Sequence, residues 1–121
     1  MTLQVRVLRG AAGRTPEELI DWGPIAPLPG APGDASRTRG LLLFKGSDGA
    51  PESGLWECTP GRWECRVTRD EFCHFLAGRC VYTDASGVTT AIAAGDAAFF
   101  PAGWTGTCEV AETVRKVYMI R

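Results

Sequence analysis

The feature that most constrains this chain is a succession of short apolar segments that starts at Arg39 and continues to its end. Turn-forming residues interrupt the segments roughly every 8 to 12 positions, a spacing typical of all-β domains. About nine short strands in a small domain must close on themselves, because an open sheet would leave long edges and one uncovered face. The sequence therefore predicts an all-β fold, a small jelly-roll β-barrel. Strands are predicted at residues 41–45, 54–58, 62–68, 71–76, 79–83, 88–93, 97–100, 105–110 and 115–120, with turns at 46–49 and 84–87.

The N-terminal part of the chain has a different pattern. Apolar and polar residues alternate over residues 3–8, which predicts a half-buried strand. A helix start at Thr15 is soon followed by the glycines and prolines of residues 23–38, which cannot continue a helix. We therefore expect one domain over residues 1–121, with an N-terminal strand and an irregular Pro/Gly-rich arm over 1–38 and the barrel over 39–121.

Charge and cysteine content exclude several classes of protein. The net charge of −1 and the pI of 5.8 argue against a nucleic-acid binder, which normally carries a basic patch. No apolar run approaches the roughly 18 residues that span a bilayer, and no secretory signal is visible, so we expect a cytoplasmic protein without a membrane partner. The five cysteines form no C-x2-C pair, and we expect free, buried thiols.

Two motifs carry a resemblance to a known superfamily. Gly95 to Gly103 reads G-x5-P-x-G, and Glu71 to Gly78 reads E-x6-G. Together they resemble the two signature motifs of the cupin superfamily, which implies the jelly-roll barrel. Over residues 53–121 the chain is similar to single-domain cupins related to ureidoglycine aminohydrolase and to the ethanolamine-utilisation cupins. That similarity rests on the runs G-L-W-E at 54–57, P-G-R-W at 60–63, G-D-x3-F-P-x-G at 95–103 and V-R-K-V-Y at 114–118.

The resemblance also implies a place for a divalent metal, held in cupins by a H-x-H pair, a glutamate and a further histidine. Glu71 matches the glutamate, but the second-motif histidine position falls on Gly106. The only histidine, His74, points away from Glu71 by strand alternation. We expect no metal cofactor; an alternative is a manganese, iron, nickel or zinc site built from Glu71, Cys65 and His74. The H-x-H positions fall on Cys65 with Val67 or on Glu64 with Arg66, and that register decides whether Cys65 or Glu64 faces inward.

Aromatic residues around the two motifs predict a small-molecule pocket, because ligand pockets are mostly apolar with a few polar groups. Core packing or a dimer interface would use aromatic residues equally well. The candidate ligand-binding residues are Trp56, Glu71, Cys73, Phe99, Trp104 and Tyr118.

Glu71 is also the one weak candidate for catalysis. A buried carboxyl has a raised pKa and can act as a general acid or base. Alternatively an arginine neutralises it in a structural ion pair, with Arg66 or Arg115 as partner. Of Arg115 and Lys116, we expect one to point inward and the other to face solvent.

Three functions remain open at this point. The first is a small-molecule-binding cupin without a complete metal site, and the second is a metal-dependent aminohydrolase, dioxygenase or isomerase. The third is a dimeric structural or interaction scaffold. A homodimer is expected in each case, with the arm at residues 23–33 covering an edge of the partner.

Overall fold

The chain forms eight antiparallel strands in the computed structural model, which describes residues 3–47 and 51–121. Two single-turn 3-10 helices, Ala11–Gly13 and Pro16–Glu18, precede the strands. Among the described residues, no helix is long and apolar enough to cross a bilayer. The strands are β1 Ile20–Pro24, β2 Arg37–Lys45, β3 Glu52–Cys58, β4 Gly61–Arg66, β5 Glu71–Asp84, β6 Thr89–Ala93, β7 Ala97–Phe100 and β8 Thr105–Ile120.

Two long strands, β5 and β8, run through both layers of the fold. The first half of β5 pairs with β7 and with the end of β8, whereas its second half pairs with β6 and with the start of β8. Strands β1, β2 and β3 extend the first layer, and β4 extends the second. The result is an all-β jelly-roll architecture, as the strand pattern predicts.

A bend at Gly78 explains why the sequence suggests two strands where the structure has one. Gly78 has φ +85°, a left-handed conformation that favours glycine, and a Cβ there would collide with the backbone of Thr113. Bulges on both sides of Ala77 turn β5 without ending it. The predicted strands at 71–76 and 79–83 are therefore one strand, and so are those at 105–110 and 115–120.

The core lies between the two layers. Tyr82 from the second layer packs on Phe100 from the first with ring centroids 4.7 Å apart. Burial here follows strand alternation, because β5 buries every second side chain on the side of the core. The main buried cluster consists of Cys58, Trp63, Cys73, Phe75, Cys80, Tyr82, Ile92, Phe100, Cys108, Val110 and Val114.

The N-terminal part differs from the expectation in two places. Residues 3–8 form no strand, and Leu3 and Val5 are about nine-tenths exposed, at 89% and 91%. Alternation alone does not make a strand where no neighbouring strand is available to pair with it. The second difference is β1, which lies where the sequence suggests only a helix start and an arm.

Two turns were expected beside the barrel strands. The turn at 84–87 is confirmed: Asp84 accepts backbone N–H bonds from Ser86 and Val88, and Gly87 has φ +91°. The turn expected at 46–49 extends beyond the described residues.

Candidate ligand-binding site

A cavity of about 450 Å³ opens between the first layer and the loop that joins β4 to β5. Its volume lies within the range of small-molecule sites. Of the six predicted ligand-binding residues, Trp56, Glu71 and Tyr118 line it. The cavity is also lined by residues that are not among these six, including Trp22, Glu52, Trp63 and Lys116.

An ion pair between Glu71 and Lys116 forms the floor of the cavity. Lys116 Nζ donates to Glu71 Oε2 at 2.7 Å, and the two side chains are 9% and 19% exposed. Burial is the largest single influence and disfavours the ammonium, but the combined attraction and hydrogen bonds of Glu71 and Cys73 outweigh it, so the pKa of Lys116 is raised. Arg66 and Arg115, the two partners expected for Glu71, pair instead with Glu64 and Glu57.

Lys116 could have been found from the sequence. It lies two residues before Tyr118 in β8, and residues two apart on a strand share a face. It is also the cross-strand neighbour of both Trp56 and Phe75. Its ammonium lies 4.7 Å from the Trp56 ring centroid, within the range of a cation–π contact.

Arg115 points to the other side of the same sheet, but solvent does not surround it. Its guanidinium donates to Glu57 at 2.7 Å and to the carbonyl oxygens of Ala11 and Ala12, both at 3.2 Å. The N-terminal 3-10 helix covers this side, so Arg115 and Lys116 are both buried, at 6% and 7% exposure. The expectation of one inward and one solvent-facing residue was wrong for this reason.

A second polar pair closes the side of the cavity. Tyr118 donates its hydroxyl to Glu52 Oε2 at 2.7 Å. Burial, together with this hydrogen bond, raises the pKa of Tyr118, so the phenol stays protonated at neutral pH. Lys45 lies 3.9 Å from the other oxygen of Glu52.

Three tryptophans form the walls. The rings of Trp56 and Trp63 meet edge to face, with centroids 6.4 Å apart and planes at 73°. Trp22 belongs to the edge strand β1, where a bulge beside Gly23 turns the chain. Its ring lies on Gly40, and a Cβ at residue 40 would collide with that ring. No periodicity in the sequence could have placed Trp22 here, because its position depends on that bulge.

The remaining predicted ligand-binding residues lie elsewhere. Phe99 is 61% exposed on the outer face of β7. Trp104 packs edge to face on Tyr82 and Phe100 at 5.8 and 6.0 Å, as part of the core wall. Cys73 is fully buried behind Glu71, and its thiol donates to Glu71 Oε2 at 3.3 Å. The structure therefore corrects the expected placement of Phe99 and Trp104 in the pocket wall.

The side chains around Glu71 do not fit the divalent metal that the resemblance implies. Cys65 lines the cavity, whereas Glu64 is not among the lining residues and pairs with Arg66 at the mouth, so Cys65 rather than Glu64 faces inward. His74 is exposed on the opposite face of β5 and joins neither Glu71 nor Cys65. The part of the chain that the structure describes contains no group of three possible metal ligands.

The electrostatics also oppose a metal beside Glu71. The ammonium of Lys116 lies 2.7 Å from Glu71 Oε2, and its positive charge repels a second cation beside the same carboxylate. Burial raises the pKa of Cys65 to about 11, so its thiol is a poor source of the thiolate that binds metals. No reaction step through a metal follows from these residues.

Solved structures similar to this chain share its fold. A EutQ protein from Clostridium difficile matches with a TM-score of 0.61 and 17% identity over 70% of this chain and 68% of that one. A DUF861-family protein of unknown function from Pseudomonas syringae matches with a TM-score of 0.74 and 22% identity over 85% of this chain. This chain spans only 44% of the length of the Pseudomonas protein.

A third solved structure and the family model agree with these matches. A DUF861-family protein from Thermotoga maritima is 31% identical over 53% of this chain and 73% of that one, with a TM-score of 0.52. No curated protein sequence matches the chain. The family model for the EutQ-like cupin domain matches residues 45–118, which include Glu71, Lys116 and the three residues Trp56, Trp63 and Tyr118 of the cavity. The chain therefore belongs to the family of EutQ-like cupin domains.

Proposed function

We propose that this protein binds a small organic molecule in the cavity, without a resident metal. The observation that carries the proposal is the composition of the site: tryptophan walls surround a buried ion pair, and both side chains of the pair line the cavity. Aromatic walls with a few convergent polar groups are what small-molecule sites consist of. An ion pair is costly to bury, so one that remains open to a cavity is better explained by binding than by stability.

Binding accounts for these residues better than catalysis. Glu71 Oε2 accepts hydrogen bonds from both Lys116 and Cys73, so Oε1 is the oxygen of this carboxylate that is left for a bound molecule. Burial holds the pKa of Cys73 at about 12 and that of Cys65 at about 11, so neither thiol is an activated nucleophile. The metal-dependent enzyme is the weaker proposal for the same reasons.

A fragment screen by saturation-transfer NMR tests the binding proposal. Hits should lose their transfer signal in Trp56→Leu and keep it in Phe99→Leu, a matched aromatic change outside the cavity. The proposal that the site holds no resident metal is tested by plasma mass spectrometry, which measures the metal content of protein purified without tag or chelator. Near-stoichiometric metal that disappears in Glu71→Ala would overturn the metal-free site; hits that do not respond to Trp56→Leu would overturn the cavity as the site.

The dimeric form has its own supporting observation. Phe72, Phe99 and Met119 are cross-strand neighbours on the outer face of the sheet, at 54%, 61% and 52% exposure. Such an apolar row is typical of a surface that another chain covers. The arm at residues 23–33 was expected to cover an edge of the partner, but the N–H of Leu28 in this arm donates to the Arg62 carbonyl of the same chain. We therefore propose this outer face as the contact between two copies.

Light scattering coupled to size exclusion tests the dimer. The wild type should run as a species of twice 13.0 kDa, and Phe72→Lys should shift it toward the monomer. A wild-type protein that runs only at the monomer mass would end the proposal.

A further inference from the structure

The floor of the cavity presents a hydrogen-bond donor and an acceptor side by side. Lys116 Nζ and Glu71 Oε2 are 2.7 Å apart, and both side chains line the cavity. An ammonium has three N–H donors and a carboxylate about four acceptor positions. Among the described residues the ammonium meets one oxygen, that of Glu71, with the Cys73 sulfur beside it and the ring centroids of Trp56, Phe75 and Phe100 at 4.7, 5.7 and 6.0 Å. Donor and acceptor capacity therefore remains available to a ligand.

The charges inside the cavity are already compensated. Lys116 and Glu71 neutralise each other, and Glu52 is held by Tyr118 and lies near Lys45. A ligand with net charge would lose its hydration without gaining an unpaired counter-ion at the floor. At the mouth, Arg66 is paired with Glu64 at 2.6 Å, and Arg69, which also lines the cavity, has an interaction of its own. The charge balance therefore favours a neutral ligand.

The walls favour a flat ligand. Trp56 and Trp63 stand nearly perpendicular, and Trp22 lies over Gly40 on the edge strand. Aromatic rings prefer offset stacking or edge-to-face contact, and this corner offers a planar ring both arrangements. The cavity of about 450 Å³ accommodates a ring system of one or two fused rings.

We propose that the ligand is a neutral planar heterocycle that carries a lactam group, an N–H next to a C=O in the ring. The C=O accepts from Lys116 Nζ, the N–H donates to the Glu71 carboxylate, and the ring packs against the tryptophan corner. In a cis amide the nitrogen and oxygen are about 2.3 Å apart from standard bond lengths, close to the 2.7 Å between Nζ and Oε2. This inference rests on the proposed binding function and adds the class of ligand.

Four probes with the same bicyclic ring separate the chemistry from the shape. They are 2-quinolinone, its N-methyl derivative, quinoline-2-carboxylate and N-methylquinolinium, measured by calorimetry. The lactam should bind, and its N-methyl derivative should bind at least about tenfold more weakly, because a charge-assisted hydrogen bond is lost. Glu71→Gln and Lys116→Met should each weaken the binding of the lactam by a similar factor. Glu109→Gln, which changes an exposed ion pair outside the cavity, should leave it unchanged.

The outcomes distinguish the ligand class from the binding function. If the carboxylate or the quinolinium binds at least as tightly as the lactam and depends on Trp56, the lactam proposal is wrong and the cavity still binds small molecules. Equal binding of the lactam and its N-methyl derivative also contradicts the proposal. If Lys116→Met fails to fold, the comparison of the lactam with its N-methyl derivative on the wild-type protein still tests the proposal. If no probe binds at about 1 mM and no screened fragment depends on Trp56, both proposals fail.

Discussion

Arg115 and Lys116 are consecutive residues of β8, and each forms one buried ion pair, but the two pairs belong to different regions of the molecule. Arg115 joins Glu57 and the N-terminal 3-10 helix on the outer side of the first layer. Lys116 joins Glu71 at the floor of the cavity. The N–O distances are equal, 2.7 Å in each pair.

The difference lies in what surrounds each pair. Glu57 is 9% exposed, and its partner Arg115 also meets two backbone carbonyls, so that environment is closed. Glu71 is 19% exposed, and both members of its pair line a cavity that solvent or a ligand can enter. The closed pair holds the N-terminal segment to the sheet, whereas the open pair has groups available for a ligand. Equal geometry therefore does not imply equal function.

Removing Glu57 should have the largest effect on stability. Among the described residues, Glu57→Ala leaves the buried Arg115 guanidinium with two carbonyl partners, and breaking a buried pair in this way costs about 3–5 kcal/mol. Urea unfolding at neutral pH measures the change in the free energy of unfolding. Glu109→Ala, from a pair that is about half exposed, should cost less than about 1 kcal/mol. A loss for Glu57→Ala as small as that of the control would contradict the structural role of this pair.

Removing Glu71 should cost less stability, about 1–3 kcal/mol, because water in the cavity can hydrate the Lys116 ammonium that is left behind. The same urea titration compares Glu71→Ala with Glu57→Ala directly. Ligand binding should show the opposite order: Glu71→Ala should weaken binding more than Glu57→Ala, because only the Glu71 variant changes the cavity. If Glu71→Ala is the more destabilising of the two, the distinction between a closed and an open pair is wrong.

The smallest expected difference between the two ion pairs is in how their contributions to stability change at alkaline pH. The pKa of Lys116 is raised above its ordinary 10.5, so the folded state holds this proton more tightly than the unfolded chain does. Its contribution to stability is full below about 10.5 and is lost as the pH rises through the folded-state value, at no more than about 1.4 kcal/mol per pH unit. Arg115 stays charged throughout this range.

The measurement is the difference in unfolding free energy between the wild type and each variant, from pH 9 to the alkaline limit of the assay. The difference from Lys116→Met should narrow above about pH 10.5, and the difference from Arg115→Met should stay constant. Burial raises the pKa of the Cys58, Cys65 and Cys73 thiols, and the charge of Lys116 lowers it, so both comparisons are repeated with these three cysteines changed to alanine. A constant difference for Lys116→Met would contradict the raised pKa.

Much of the fold could be predicted from local patterns. The glycines of the second motif have positive φ, as a turn at each end of β7 requires. Alternation in β5 correctly placed Glu71, Cys73 and Phe75 on one side and His74 on the other. The predicted strand at residues 3–8 was wrong because alternation describes a strand only when a partner strand is present.

The candidate site was predicted less completely, because most of its members come from strands far apart in the chain. Trp22 reaches the cavity through a bulge in an edge strand, and Glu52 reaches Tyr118 across 66 positions. One of Arg115 and Lys116 was expected to face solvent, because the sequence does not show that the N-terminal 3-10 helix covers Arg115. Phe99 and Trp104 were misplaced because proximity to a motif along the chain is not proximity to its cavity.

The sequence by itself determined the all-β class, the turns and the alternation that turns Glu71 inward, because each depends on the conformational preferences of neighbouring residues. Only the tertiary structure decided that Lys116 is the partner of Glu71, that Arg115 is buried with Glu57, and that three tryptophans enclose one cavity. Those contacts depend on strand order and on the bends of β5 and β8, which bring distant residues together. Local periodicity fixes the side of a strand on which a residue lies, and the packing of other elements fixes what that residue meets there.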